Sequence, residues 1–392
     1  MSTRSKPIET GLVATVKYPS ALFSLEKDEF YPYERFASNV LHVAVEALHN
    51  RGLPESIVID FTRLLSGCSP WAINASMAVT LDGNGKPLFF TVSTPELAPA
   101  EFYLYCAVVA SKFFDEQAFE EFERDPRKLG AEIQVFVDAA SAAVRAYRES
   151  GIGPAIRASY ERLNLQILDI ERYALLYDLL TKEIAYHEVA HGYVRQFSRV
   201  LTDEETRAFE IVVDLVATEW FYNGWIKNTP DTPEYRRFRG IDTYSETIFS
   251  NSLMAMQAQQ SRLILWAIGG AQRNGGHISL SGGKTHPPGM LRYMLQHVHL
   301  YTLVASNFSK VLSADQLRFL ETDCQRRMDV LVKAGIVTRG DALEMADGSQ
   351  LGVVAKAAEL ISEFDVPELK KMVEFLRQLG TRIGKKKPNL AV

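Results

Sequence analysis

Apolar residues recur at helical spacing along most of the chain. In residues 33–50 they lie three and four positions apart, which predicts an amphipathic helix. The same spacing predicts further helices at about 96–114, 126–149, 155–198 and 246–270, and a mostly helical remainder from 289 to 382. The chain is therefore expected to be predominantly helical.

One short region instead alternates with the period of a β-strand. Residues 77–81 and 87–92 flank the segment Asp82-Gly83-Asn84-Gly85-Lys86. Glycine and asparagine tolerate the positive φ angles of a tight turn, so this pattern predicts a β-hairpin. With the helices, it predicts an α+β protein with a small sheet.

Two turn-rich stretches interrupt the helices of the second half. Residues 225–245, with Pro230 and Pro233, are predicted as a loop, and residues 275–283 as a glycine-rich loop. Ahead of the first stretch, Thr202 followed by Glu205 is the pattern of a capping box and predicts the start of a helix.

The composition is typical of a globular protein and excludes several classes of function. The chain has 392 residues, of which 47% are hydrophobic and 23% charged, and a net charge of -5 that argues against a nucleic-acid partner. No run of about 18 apolar residues predicts a membrane span, and the N-terminus does not resemble a signal peptide. The three cysteines, including Cys68, form no CxxC pair. A cytoplasmic protein with reduced thiols is expected.

The strongest chemical signal is His187-Glu188-Val189-Ala190-His191, which has the pattern HExxH within a predicted helix. Residues four apart share one helix face, so His187 and His191 can bind one Zn²⁺ while Glu188 reaches a water beside it. Two histidines that share a face by chance are the alternative. The apolar flanks favour a metal, because buried polar groups need compensation.

A catalytic zinc needs a third protein ligand. The metzincin pattern requires glycine at 194 and histidine at 197, but the chain has Val194 and Phe197. The next predicted helix has Glu210 and Asp214 four residues apart in an apolar run, where carboxylates are costly unless paired. Ion pairs with basic neighbours are one explanation. We predict instead that Glu210 is the third ligand and that Asp214 accepts the free ring N–H of a ligand histidine.

A third stretch, Thr285-His286-Pro287-Pro288, precedes the helix that contains Arg292. His286 and Arg292 are predicted to stabilise the oxyanion of a tetrahedral intermediate. Tyr193 and Tyr244 are additional candidates for that role. A loop histidine without a role is the alternative for His286.

The order of these motifs resembles the gluzincin peptidases, both the membrane-embedded HtpX type and, more closely, the soluble Lit family of bacterial phage-exclusion peptidases. The stretches Tyr186–His191, Thr202–Trp220 and Lys284–Arg292 carry the resemblance. Such families usually have Glu-Ala-Asp where this chain has Val-Val-Asp at 212–214, although the Glu210-to-Asp214 spacing is kept. The resemblance implies a zincin-like metallopeptidase core at 75–310, an N-terminal region of unknown role at 1–74 and a helical C-terminal region at 311–392.

Together the motifs predict a zinc-dependent endopeptidase acting on an intracellular protein or peptide, with Glu188 as general base. The resemblance implies a role in phage defence or stress. A different class remains open, a catalytically silent regulatory or interaction protein that zinc only stabilises. Glu188 distinguishes the two classes, because a structural zinc does not need it. The predicted hairpin either binds an extended substrate along its edge or caps the core.

Overall fold

The structure is a computed structural model. It describes residues 2–7, 13–25, 27–48, 56–62, 75–83, 87–163, 168–195, 201–273, 286–337, 348–363 and 372–378. The predicted glycine-rich loop at 275–283, residues 84–86 of the predicted turn, and Cys68 lie outside the described residues.

Five strands form one sheet in the order β1-β2-β3-β5-β4. The strands are β1 (Ser2–Pro7), β2 (Val13–Tyr18), β3 (Ser56–Thr62), β4 (Ser76–Leu81) and β5 (Pro87–Pro95). Strands β2, β3 and β5 pair in parallel, whereas β1 and β4 pair antiparallel with their neighbours and lie at the edges. The predicted hairpin is confirmed as β4 and β5.

Helices make up most of the described chain. They are α1 (Lys27–Ala47), α2 (Leu104–Phe114), α3 (Glu116–Arg124), α4 (Arg127–Ser150), α5 (Ile152–Leu163), α6 (Leu168–Arg195), α7 (Asp203–Tyr222), α8 (Pro233–Arg239), α9 (Tyr244–Arg273), α10 (Gly289–Phe308), α11 (Ala314–Lys333) and α12 (Gly348–Glu363). A 3-10 turn spans Ser20–Ser24, and π-helical turns span Ala98–Tyr103 and Asn223–Lys227. The predicted α+β class, with helices predominant, is confirmed.

Two local predictions differ from the structure. The stretch 225–245, predicted as a loop, contains α8, because Pro233 occupies the first turn behind the capping side chain of Thr232. Proline is well tolerated there, since its missing N–H has no partner inside the helix anyway. The segment predicted to be predominantly helical from about 155 begins earlier, since α5 starts at Ile152, directly after Gly151 with a φ of 86°.

Helix α6 lies at the centre of the fold. It packs against β4 and β5 and against α1, α2, α7 and α9. A Cβ atom at Gly192 would lie 3.0 Å from the ring of Phe90 on β5, so glycine permits the close approach of α6 to the sheet. Helix α7 packs against α6, α10 and α12. Its apolar run is buried, which places Glu210 and Asp214 in the interior.

The regions predicted at 1–74 and 311–392 contact the central region directly. Strand β3 pairs with β5 along its whole length, and α12 packs against α7. Within the described residues, none of the helices combines the length and the apolar character that a membrane crossing requires.

Candidate metal centre

The predicted ligands meet in one group. His187 and His191 lie one turn apart on α6, and Glu210 approaches them from α7. Each residue offers one ligand atom within 4.8 Å of the others. The two histidine Nε2 atoms are 3.1 Å apart, and the Glu210 oxygens lie 3.7 Å from His187 Nε2 and 3.4 Å from His191 Nε2. Both nitrogens and the carboxylate therefore face a common point.

The local sequence explains why Glu210 faces α6. The predicted capping box is confirmed, with Thr202 accepting from the backbone of Glu205 and the Glu205 side chain accepting from the backbone of Thr202. This cap starts α7 at Asp203, so that Glu210 falls two turns into the helix.

The donor set fits a divalent metal ion. Glu210 is buried, and its Oε2 accepts no hydrogen bond from the described residues. A buried carboxylate oxygen without a donor is costly, and a metal ion would compensate it. Two imidazole nitrogens and one carboxylate are also the ligand types of catalytic zinc sites. The structure thus brings together a His-His-Glu group that can bind a metal.

The site electrostatics favour the ligand forms of His187 and Glu210. For His191, burial would lower the pKa of the ring, but the charge and hydrogen bond of Glu210 raise it. Burial, followed by the nearby Arg262 charge, lowers the pKa of His187 to about 3, so the ring is neutral and can offer Nε2. Burial alone would raise the pKa of Glu210, but the charge and hydrogen bond of His191 and the charge of Arg292 outweigh it. The pKa of Glu210 therefore lies well below its usual range, and the carboxylate is ionised.

Asp214 lies where the sequence predicts it, behind His187. Its Oδ1 is 2.9 Å from His187 Nδ1, and the residue is 1% exposed. Burial would raise the pKa of Asp214, but Arg292 and the contact with His187 lower that pKa by more than burial raises it. The side chain is therefore an ionised carboxylate. With an Asp214 oxygen beside Nδ1, the Nε2 atom of His187 is the one left to face a metal.

Arg292 has a different set of contacts from the one predicted. Its Nε and Nη2 donate to Asp214 over 2.6 and 2.9 Å, and Nη2 lies 3.4 Å from both Glu210 Oε2 and His187 Nε2. Two donors are thus committed to Asp214. These contacts support a role in holding Asp214. Arg292 also lines the cavity, and its donation to an oxyanion stays a prediction.

Glu188 and His286 line the same cavity as the ligands, which measures about 430 Å³. Burial, opposed by the charge of His191, raises the pKa of Glu188 to about 7. His286 lies in the bend just before α10, with its side chain 49% exposed and Nε2 3.8 Å from Glu210 Oε1. Burial lowers the pKa of His286 and keeps its ring neutral near pH 7. Both predicted catalytic groups are therefore next to the metal group.

Tyr193 and Tyr244 are not brought to this cavity. Tyr193 comes two residues after His191 and so points to another face of α6, where its ring packs edge-on against Trp220 at 5.2 Å. Tyr244 lies at the start of α9. Neither residue lines the cavity, so we drop both from the predicted oxyanion group.

Several cavity and network residues were missed by sequence reasoning. They are Glu183, Arg262, Trp266, Gln296 and Tyr103. Glu183 is one turn before His187 on the same face of α6, and Arg262 is a charged residue in an apolar stretch of α9. The positions of Glu183 and Arg262 could therefore have been recognised as candidate site residues, whereas nothing in the sequence points to Gln296 or Tyr103.

No protein-family model, curated protein or solved structure matches this chain. The function is therefore argued from the geometry of the site.

Proposed function

We propose that this protein is a zinc-dependent endopeptidase with a zincin-like core of the gluzincin type. The observation that carries the proposal is the His187, His191 and Glu210 group, which shares one open cavity with Glu188. Among the described residues the group contains three protein ligands, and His286 is not part of it. Three ligands with an accessible cavity are typical of catalytic zinc, whereas structural zinc usually has four.

The residues around the group have complementary roles in peptide hydrolysis. Bound zinc supplies Lewis acidity for the attack of water on a peptide carbonyl. Glu188 removes a proton from the attacking water and delivers it to the leaving amine. His286 donates a hydrogen bond to the oxyanion of the tetrahedral intermediate. Asp214, held by Arg292, orients His187.

The edge of the sheet offers a place for an extended substrate. Strand β4 pairs with β5 on one side, and its other edge has no strand partner among the described residues. Ala75, Ser76 and Met77 at the start of β4 line the cavity beside the metal group. A peptide that paired with this edge would carry its backbone past Glu188, so a protein or peptide substrate suits the geometry.

The resemblance to Lit-type peptidases adds a biological setting to the proposal, namely cleavage of an intracellular target in phage defence or stress. Its test is a comparison of newly formed protein termini in cells that express wild-type protein or Glu188→Gln. We expect both proteins to contain zinc and only the wild type to produce new termini. Zinc-loaded wild type without any new termini would favour the silent, zinc-stabilised alternative.

A further inference from the structure

Four buried side chains, one from each helix around the site, form a closed ring of polar contacts. Glu183 comes from α6, Asp214 from α7, Arg262 from α9 and Gln296 from α10. We call this ring the four-helix bridge. All four residues are at most 4% exposed. A buried polar network of this size is costly unless its members satisfy one another.

The contacts of the four-helix bridge converge on two carboxylate oxygens. Arg262 Nη1 donates to Glu183 Oε1 over 2.8 Å and lies 3.6 Å from Asp214 Oδ1. Gln296 Nε2 donates to the same two oxygens, over 3.4 Å to Glu183 and 3.2 Å to Asp214. Each donor thus spans both carboxyl groups, and Arg262 supplies a positive charge between them.

The oxygen shared by this ring is also the one that faces the metal ligand. Asp214 Oδ1 lies 2.9 Å from His187 Nδ1 and also accepts from Arg292 Nη2 over 2.9 Å, while Oδ2 accepts from Arg292 Nε over 2.6 Å. With both oxygens held, the carboxylate has little freedom to rotate. The orientation of the His187 ring therefore depends on contacts from α9 and α10.

Trp266 connects the two arginines. Its ring lies 4.8 Å from the guanidinium carbon of Arg262 and 4.7 Å from that of Arg292. Trp266 is one turn after Arg262 on α9 and also lines the cavity. Both guanidinium groups therefore make cation–π contacts with one indole, which fixes the spacing between Arg262 and Arg292.

We propose that Arg262 and Gln296 are positioning residues that hold Asp214 Oδ1 against His187 and thereby tighten metal binding. The proposal rests on the proposed function, in which His187 is a zinc ligand. Gln296 donates to Glu183 and Asp214, so its effect on His187 passes through Asp214. Arg262 acts in the same way and, in addition, through its charge on His187. Changes in residues that orient zinc ligands typically weaken metal binding by about 10- to 100-fold.

The test compares Gln296→Met with Gln259→Met. Methionine keeps the approximate size of glutamine but removes the donor that spans the carboxylates. Gln259 is also buried, and its side-chain amide has no hydrogen-bond partner among the described residues, so it is a matched control. The readouts are the Zn²⁺ Kd from competition with a chromophoric chelator, the visible spectrum of the Co²⁺-loaded protein, and the thermal stability of the metal-free protein.

We expect Gln296→Met to weaken Zn²⁺ binding about 10-fold and to alter the Co²⁺ spectrum, with Gln259→Met unchanged in both. Arg262→Met should weaken binding further. Its control is Arg327→Met, which also removes a buried guanidinium from an ion pair. Arg327 pairs with Asp323 at 2.8 Å and does not line the cavity. If Arg262→Met does not fold, Gln296→Met decides the matter.

The results separate the positioning role from a structural one. Wild-type metal affinity and spectrum in Gln296→Met overturn the inference, even if the variant is less stable. Failure of the wild-type protein to bind any divalent cation overturns the proposed function and the inference together. Binding by the wild type with unaltered variants overturns the inference alone.

Discussion

Replacement of Glu210 by glutamine tests the metal group at the one ligand that α6 does not supply. Glutamine keeps nearly the same shape but loses the charge. Zinc sites with four protein ligands bind with about 10–16 kcal/mol, or roughly 2.5–4 kcal/mol for each ligand. Since about 1.4 kcal/mol corresponds to a factor of ten, losing one ligand should weaken Zn²⁺ binding by about 100-fold or more.

Although burial opposes ionisation, His191 and Arg292 hold the pKa of Glu210 below its usual value, so its carboxylate also stabilises the metal-free fold near neutral pH and Glu210→Gln is expected to lower the free energy of unfolding as well. Glu210 Oε2 accepts no hydrogen bond from the described residues, and Arg292 keeps its two hydrogen bonds to Asp214.

The assay is competition for Zn²⁺ with a chromophoric chelator, combined with zinc content after dialysis. Glu205→Gln is the matched control, because it removes the same charge from the same helix while glutamine can still serve the capping box. A Zn²⁺ Kd for Glu210→Gln equal to that of Glu205→Gln would show that α7 supplies no ligand, and the endopeptidase proposal would lose its basis.

Three further predictions concern catalysis, pH and packing. His286→Ala should lower kcat by about 100-fold or more, because an oxyanion donor is lost, with little change in zinc content. Steady-state kinetics on an identified peptide would measure this effect. An unchanged kcat would show that His286 has no catalytic role. Burial raises the pKa of Glu101 to about 8, above its ordinary value of 4.5. The protonated side chain therefore contributes its full stability below about pH 4.5, and this contribution is lost as the pH rises through about 8. Glu101→Gln should therefore gain free energy of unfolding relative to wild type, by a few kcal/mol, as denaturation is measured at increasing pH; a pH-independent difference would contradict the assigned pKa. Gly224→Ala should destabilise the protein by about 1–3 kcal/mol, because the added Cβ would lie 2.5 Å from the hydroxyl of Tyr186. The control is Gly352→Ala, where the added Cβ meets open space, and thermal denaturation should show it to be neutral or stabilising.

Local pattern was enough to predict the elements that carry the ligands. The HExxH spacing defines a helix face by itself, and the structure places His187 and His191 on that face. Thr202 and Glu205 predicted where α7 begins, and hence that Glu210 and Asp214 share a face. Each of these signals depends on residues that are three or four apart, so neighbouring positions contain all the necessary information.

Contacts between distant segments could not be predicted in the same way. The ion pair between Arg292 and Asp214 was not predicted, because the two residues are 78 positions apart in the chain. The sheet was predicted only as a hairpin, since its parallel pairs join strands that are not neighbouring elements along the chain: α1 lies between β2 and β3, and β4 lies between β3 and β5. Pro233 suggested a loop, although the capping side chain of Thr232 turns it into the start of α8.

The amino-acid sequence by itself determined which helix faces carry imidazole and carboxylate groups and how those helices begin. The tertiary structure decided which buried charges pair, because α6, α7, α9 and α10 must first pack together before Arg262 and Gln296 can meet two carboxylates from different helices. The physical reason is that periodicity acts within a few residues, whereas the cost of burying a charge is set by whatever partner the completed fold brings within hydrogen-bonding distance.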